Sequence, residues 1–589
     1  MPERDPGWRT RLASPNLWIP TIVGGTTGLA GFLLGRSLEV PLASDFWKLA
    51  GQPLATLAAG AGAIGAGWLA LHNGSKTREL DREHHQDTMN RDRESNLRDR
   101  YTTAAQQLND DNSAVREAGA YAISALIDDW IGYGQLTRQP SLAHSQAQAC
   151  INQLCSYLRA NRRSVESYDE DPKTTLHGFQ LEEALVRHTI LSVFRENSGR
   201  WLRQRREMQS EGISPRTFDL RGARLRGANL EFADLRAANL QGADLQTAEL
   251  SGATLRLANL KGAILRAADL TGANLTDATL TGADLGEAKL QGAILVDVNL
   301  QKFDLSRLRL EKANLSGAIL FEADLRSATL TGANLERANL AHAKLFEANL
   351  AEANLTGAYM FGAALTGAVL TDATLTKANL AKTTLAGALL INADLQDADL
   401  EGADLEDADL ESAKLSNAKL RHAILAGATL PEANLTGAVL IGANLTNTTF
   451  GGANLSGADL TEADLSVADL EEADLTEANL TDAVLIGANL ANANLSDADL
   501  ANANLSDADL SSANLTDANL SGADLSGATL TRAVLMGTIL TRVDLTGAVL
   551  TGLDLDGVDL TDVNLDDVNM DDVDLSGAIL PGTDTSGIA

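Results

Sequence analysis

The sequence predicts a mainly β chain, a long solenoid preceded by an α-helical domain and a two-helix membrane hairpin. Three observations predict it. From Leu220 to Leu580 every fifth residue is Leu, except Met360, Phe450 and Met570, which makes 73 consecutive pentads without insertion or deletion. Residues 17–35 and 49–71 carry no charged side chain. Between these regions apolar residues recur at helical spacing, as at Val115, Ala118, Ala122, Ile123, Leu126 and Ile127. The organisation read from them is a tail and hairpin over 1–75, a charged helix and small helical domain over 76–212, the repeat over 213–585 and a tail over 586–589.

At 1.5 Å rise per residue the uncharged stretches make helices of about 28 and 34 Å, enough for a hydrocarbon core of about 30 Å. Small residues stand four apart at Gly24/Gly28, Gly31/Gly35 and along Gly51, Ala55, Ala59, Ala63 and Gly67. Such stripes let membrane helices approach closely. A cleaved signal peptide accounts only for the first stretch, and no small-x-small cleavage site follows it; a Gly/Ala-rich soluble hairpin, the other alternative, should show a polar stripe, and neither stretch does. Arg4, Arg9 and Arg11 precede the first stretch and Lys76, Arg78 and Arg82 follow the second, whereas the connection holds only Arg36 and Lys48. That bias predicts a cell-membrane protein with both termini and the solenoid cytoplasmic.

Residues 76–108 are charged nearly all round, as in a solvated helix. His84 and His85 are neighbours and point about 100° apart on a helix, a poor metal pair. Segments 147–160 and 181–197 repeat the helical pattern, and 160–175 reads as an exposed loop. Cys150 and Cys155 match neither a CxxC zinc pair nor a disulfide framework, so buried thiols are expected.

An apolar period of five is neither 3.6 nor 2, so one helix or strand would wind its leucines out of any shared core. A solenoid with short straight sides, each sending one Leu and one Ala inward, satisfies it. Ala stands two residues before almost every central position, and Asp or Asn mostly one before. This A-(D/N)-L-x-x register resembles the pentapeptide-repeat family over nearly two thirds of the chain. The resemblance implies a right-handed quadrilateral β-helix with four pentads per coil. Seventy-three pentads then give about 18 coils, and strand spacing gives a rod of about 88 Å. The helical segment resembles that of membrane-anchored bacterial members at Ala114–Arg116, Ala118–Ala122, Asp128–Trp130, Cys150–Arg159 and Val186–Ile190. That likeness implies a spacer and cap, with no chemistry.

Departures from the repeat are local. The alanine position is bulky at Val298, Phe303 and Leu308, which predicts a swelling or bend. It is bulky again at Val543, Leu553, Val558, Val563, Val568 and Val573, which predicts a wider terminal core that closes the rod's end. Phe218, beside Pro215, marks where the helical domain should cap the first coil. The acidic last coils, with Asp566, Asp567, Asp571 and Asp572, read as a charge guard against end-to-end stacking, with a dimerisation end or a cation site as alternatives.

Charge is unevenly spread. Residues 351–589 hold 7 Lys and Arg against 38 Asp and Glu, nearly the whole net charge of −32, and no Lys or Arg lies between Arg421 and Arg532. Such a surface repels nucleic acid and anionic lipid and suits cationic partners or solubility. With four pentads per coil, residue n stands below n+20. Between 394 and 519 none of the ten Asp at the position before Leu then has another Asp directly above or below. Two carboxylates one coil apart repel by about 0.9 kcal/mol even in water, and an intervening Asn can donate to them.

No P-loop, GxSxG or HExxH occurs, and 554–560 lacks the far bidentate acid of a calcium loop. No catalytic, cofactor or metal residue is therefore expected. Three functions stand: a membrane-tethered, non-catalytic scaffold or interaction rod; a DNA mimic that binds a topoisomerase or another DNA-binding protein; and an accessory factor for membrane transport or assembly. The candidate surface comprises Asp459, Asp464, Asp469, Asp474, Asp499 and Asp509, with an aromatic patch of Phe321, Tyr359 and Phe361 near Phe346. The protein partner is unspecified, no direct nucleic-acid binding is expected, and the chain is a monomer or associates through its hairpin.

Overall fold

A computed structural model of the chain describes residues 44–137, 139–160, 178–202, 216–573 and 575–580. The chain forms two compact units, Met1–Arg93 and Glu94–Ala589. Four helices are described: α1 (Ser44–Leu108), α2 (Ser113–Thr137), α3 (Pro140–Arg159) and α4 (Gly178–Leu202).

The membrane hairpin, and with it the cell-membrane placement, must be corrected. Among the described residues no helix is long and apolar enough to cross a membrane. Residues 49–71 belong to α1, which continues unbroken through the charged stretch to Leu108. Thirteen of those 23 residues are Gly or Ala, which carry little apolar surface, so freedom from charge overstated their apolarity. The 17–35 stretch lies outside the described residues.

In the second unit the end of α1 packs Leu97, Ala104 and Leu108 against Ile123, Leu126, Ile127 and Trp130 of α2, Ile151, Leu154 and Leu158 of α3, and Val186, Ile190 and Phe194 of α4. Asn112 starts α2, its Oδ1 accepting the Ala114 N–H at 2.9 Å. Gly119 lets α2 close on α1, since a Cβ there would lie 2.4 Å from the Leu108 nitrogen. Pro140 opens α3, where its missing N–H costs nothing. Cys150 and Cys155 are buried free thiols, and burial pushes both up to about 12.

From residue 219 the chain winds as a solenoid whose parallel bridges join n to n+20, such as Asp459↔Asn479↔Asp499↔Asn519. Four pentads therefore make one coil. The strands are single bridges rather than extended ladders, because each side is only about three residues long before the chain turns. Nearly every central residue donates its N–H to a carbonyl nineteen residues on, as Leu500 to Asn519 at 2.7 Å. The residue before it donates back, as Asp499 to Ala478 at 2.9 Å. The corner closes from the alanine N–H to the preceding leucine carbonyl, as Ala498 to Leu495 at 3.1 Å.

Nearly every corner places its third residue at positive φ, the geometry of a type II turn. Glycine fills many of these positions, yet Val467 (φ 59°) and Leu257 (φ 60°) do so without its freedom. The Asp or Asn before each leucine supports the turn: its Oδ1 accepts the N–H two residues on, as Asn494 from Ser496 and Asp509 from Ser511. These are Asx turns, which explains why this position prefers those two residues. Axial leucines and their alanines are almost wholly buried, Leu495 at 0% and Ala498 at 1% exposed.

The helical domain seals the first coil. Phe218 is fully buried, 5.0 Å from the Phe194 ring, which also meets Trp201 edge-on at 6.2 Å. Gln148 takes both backbone groups of Thr217, at 2.8 and 3.0 Å. Arg187 donates to the Arg224 carbonyl at 3.3 Å, Arg195 to Asn229 Oδ1 at 3.2 Å, and Ser198 Oγ accepts the Asp234 N–H at 2.8 Å. Arg159 pairs with the Asp219 carboxylate at 2.7 Å. These contacts reach all four sides of the coil and satisfy polar groups that a preceding coil would otherwise meet. The Arg221 hydrogen bond, then the Arg159 charge, bring Asp219 down to about 2. Because its pKa is lowered on folding, its stabilisation is complete above the ordinary carboxylate value of about 4 and is lost as pH falls through about 2.

At the other end the axial residues lose cover. Leu565, Met570 and Leu580 are only partly buried, as is Val573 at the alanine position, and Leu575 is 39% exposed.

Candidate interaction surface

The surface is built from three outward positions per pentad, repeated every coil. Asp459, Asp464, Asp469 and Asp474 lie half-buried on four successive sides of one coil, and Asp499 and Asp509 lie exposed in the columns above Asp459 and Asp469. Their orientation is fixed within the coil. Thr461, Ser466 and Thr476 hydroxyls donate to Asp459, Asp464 and Asp474 at 2.6, 2.6 and 2.5 Å.

Asparagines couple one coil to the next. Asn479 Nδ2 donates to Asp459 Oδ1 at 3.4 Å and Thr461 Oγ1 at 2.9 Å. Asn489 donates to Asp469 at 2.9 Å, Asn494 to Asp474 at 3.3 Å and Asn519 to Asp499 at 2.8 Å. The donation runs only toward the lower-numbered coil, since each asparagine's own Oδ1 is committed to its turn, as Asn479 Oδ1 to Thr481 N and Oγ1. The carboxylates thus form rigid, regularly spaced rows in a region without a lysine or arginine. Replacing Asn479 and Asn489 together by Asp is expected to lower the melting temperature more at low salt than at high salt, because each change removes a donor and stacks three carboxylates. Equal losses in thermal melts at both ionic strengths would contradict the electrostatic account.

The aromatic patch is more connected than the sequence indicated. Phe321 and Phe361 stand two coils apart, and His342 fills the coil between them, edge-on to both at 5.8 and 5.7 Å. Tyr359 stacks beside Phe361 at 6.3 Å and is 46% exposed, and Lys382 Nζ lies 5.8 Å from the Phe361 ring centre. Phe346 stands on the neighbouring side. His342 and Lys382 were missed by sequence reasoning, although both fall at n+20 from corner residues adjoining the phenylalanines, a spacing the repeat makes readable.

Leucine-centred square coils, sealed by helices at the first coil, define a β-solenoid whose surface rather than any pocket varies along its length. The chain belongs to the pentapeptide-repeat family: the family description "Pentapeptide repeats (8 copies)" matches it in overlapping stretches from residue 219 to 582. Among solved structures it is similar to HetL, a pentapeptide repeat protein involved in heterocyst differentiation regulation from Nostoc sp. strain PCC 7120, at 34% identity over 39% of this chain and 90% of that one, with a TM-score of 0.21. It is similar to Rfr23 from the cyanobacterium Cyanothece 51142 at 30% identity over 25% and 90%, with a TM-score of 0.09. A third is QnrB1, a plasmid-mediated fluoroquinolone resistance protein, at 22% identity over 34% and 86%, with a TM-score of 0.22. No curated protein matches the chain. The membrane-anchored subtype is not supported.

Proposed function

We propose that the chain is a non-catalytic interaction rod whose acidic distal half docks a cationic protein surface. The observation that supports this most is the ordering of its carboxylates. Asp459, Asp469, Asp474 and Asp499 are held by turn and cross-coil hydrogen bonds, two coils apart within a column as at Asp459 and Asp499, with no Lys or Arg in 422–531 to neutralise them. A prepaid, rigid row of like charges presents a complementary partner with a fixed pattern and speeds its encounter. The aromatic patch around Phe361 is a second, apolar contact.

The test is affinity capture on the full chain, comparing wild type with Asp459, Asp464, Asp469, Asp474, Asp499 and Asp509 all changed to Asn. Asn is native at equivalent positions, so the coil should survive. The reading predicts a captured protein that is lost with the variant and lost at high salt; undiminished capture by the variant contradicts it. If duplex DNA competes the partner away and the partner binds DNA, the mode is DNA mimicry.

The distal end supports a related proposal: Asp566, Asp567, Asp571 and Asp572 are exposed around poorly covered axial residues and keep the end from stacking. Changing all four to Asn is expected to give concentration-dependent oligomers or filaments in light scattering; a monodisperse variant removes the guard role.

A further inference from the structure

The ladder between coils opens over two adjacent sides at two places, and both coincide with bulky residues at the alanine position. Below Leu530 every described axial residue donates its N–H to the next coil except Leu280 and Leu285. Gly282 and Glu287 at the adjoining corners also make no such bond. From above, Asn299 and Asp304 do not donate to Ala278 and Ala283, whereas Lys289 stays bridged to Arg309 and Leu290 donates to the Arg309 carbonyl at 3.0 Å. The coil above carries Val298, Phe303 and Leu308, where the repeat has alanine. Ala283 and Phe303, one above the other, are both only partly buried. On the side through Leu275 the ladder stays shut: Leu275 donates to Ile294 at 2.7 Å and Ile294 to Ala273 at 2.8 Å.

The second opening repeats the pattern. Gly537, Leu540 and Arg542 make no bond to the coil above and Asp559 none to the coil below, while Val534 and Asp554 stay bridged without a bond of ordinary length. Leu553 and Val558 stand there over Ala533 and Thr538. The other two sides remain closed, with Leu545 donating to Asn564 at 3.0 Å and Leu550 to Asn569 at 2.9 Å. A narrow void lined only by axial leucines from Leu520 to Leu560 runs through these coils. Valine at this position is not sufficient by itself, since Val543, Val563 and Val568 leave their bonds to the coil below intact: Asp544 to Ala523 at 3.1 Å, Asn564 to Val543 at 3.0 Å and Asn569 to Ala548 at 2.8 Å.

We propose that Phe303 with Val298 and Leu308, and Leu553 with Val558, are wedges that build two hinges into the rod, each open over two adjacent sides. A side chain larger than alanine fills the height between coils and holds their backbones beyond hydrogen-bond reach on its own sides. The intact sides then act as the pivot. Between the hinges the coils from Leu305 to Leu530 form one stiff run that carries the aromatic patch and the acid rows. The hinges change the direction of that run without changing its internal spacing. Packing alternatives differ in their prediction: in an ordinary core, cutting Phe, Leu and Val to Ala leaves a cavity and destabilises, whereas removing a wedge restores the ladder.

Amide hydrogen exchange on the full-length protein tests this. In the wild type, the Leu280, Gly282, Leu285, Glu287, Asn299 and Asp304 amides should exchange at least about tenfold faster than the equivalent amides of 339–347, because open backbone groups are protected only by local packing. In Val298→Ala/Phe303→Ala/Leu308→Ala those amides should slow to the rate of their equivalents in 339–347, with a melting temperature equal to or above wild type. Equal protection of the two regions in the wild type overturns the proposal without any variant. A triple variant that folds with unchanged or faster exchange at 280–287, or that loses melting temperature, also overturns it. Leu553→Ala/Val558→Ala should independently slow the Leu535, Gly537, Leu540 and Arg542 amides, and a failure to do so counts against the second hinge.

Discussion

Glu183→Gln is expected to cost the helical cap about 3–5 kcal/mol, the penalty for stranding buried charge. Glu183 is fully buried between Arg116 and Arg187, its oxygens 3.6 and 3.4 Å from their guanidinium nitrogens, with the Tyr157 hydroxyl donating at 2.8 Å. Both arginines are themselves buried and hold backbone. Arg116 donates to the Asp110 and Asp111 carbonyls at 3.1 and 2.8 Å, and Arg187 to those of Leu158, Ala160 and Arg224. Neutralising the one carboxylate leaves two cations in a dry interior, and the loosened Arg187 frees the second side of the first coil. The check is denaturant unfolding followed by fluorescence of buried Trp130 and Trp201, paired with amide exchange over 216–240. An unchanged midpoint would show that the carboxylate is not what holds the cap.

Ala498→Phe is expected to destabilise the rod by about 3–5 kcal/mol, combining overpacking of about 1–3 kcal/mol with the loss of hydrogen bonds worth about 1 kcal/mol each. Ala498 is 1% exposed in the coil that begins at Ala491. Beside it Leu480 donates to the Asp499 carbonyl at 2.6 Å and Asp499 to the Ala478 carbonyl at 2.9 Å. A phenyl group at this height would create in the acidic half what Phe303 does natively near the start. Thermal melts report the loss, and faster exchange of the Leu480 and Asp499 amides locates it. If those two amides keep wild-type protection, alanine at this position is not what closes the coil.

Much of the rod was legible because five residues is a period only a cornered coil can satisfy. Leu495, Leu500, Leu505 and Leu510 had to share an axis, and Phe218 in register before them marked the capped end. Val298, Phe303 and Leu308 announced a disturbance, although which sides would open depends on coil geometry and not on residue type. The columns Asp459–Asn479–Asp499–Asn519 followed from the period alone. The one-way donation of Asn479 did not, because it depends on the turn claiming Oδ1. Gln148, Arg187 and Ser198 were unreadable as cap contacts, since they meet the first coil across intervals of 69, 37 and 36 residues with no repeating pattern. The failure at 49–71 has a plain cause: a stretch of Gly and Ala lacks charge without being strongly apolar.

The acidic half as a docking surface is tested most directly by site-specific photocrosslinking in the native cell, with the crosslinker placed in turn at Ala501, Phe361 and Gly242. Ala501 lies beside Asp499 in the acidic half, Phe361 in the aromatic patch, and Gly242 on an exposed corner of the charge-balanced first half. The account predicts a discrete adduct from Ala501, weakened by the six Asp→Asn changes, and none from Gly242. Adducts of equal yield from Gly242 and Ala501, unaffected by those changes, would contradict it.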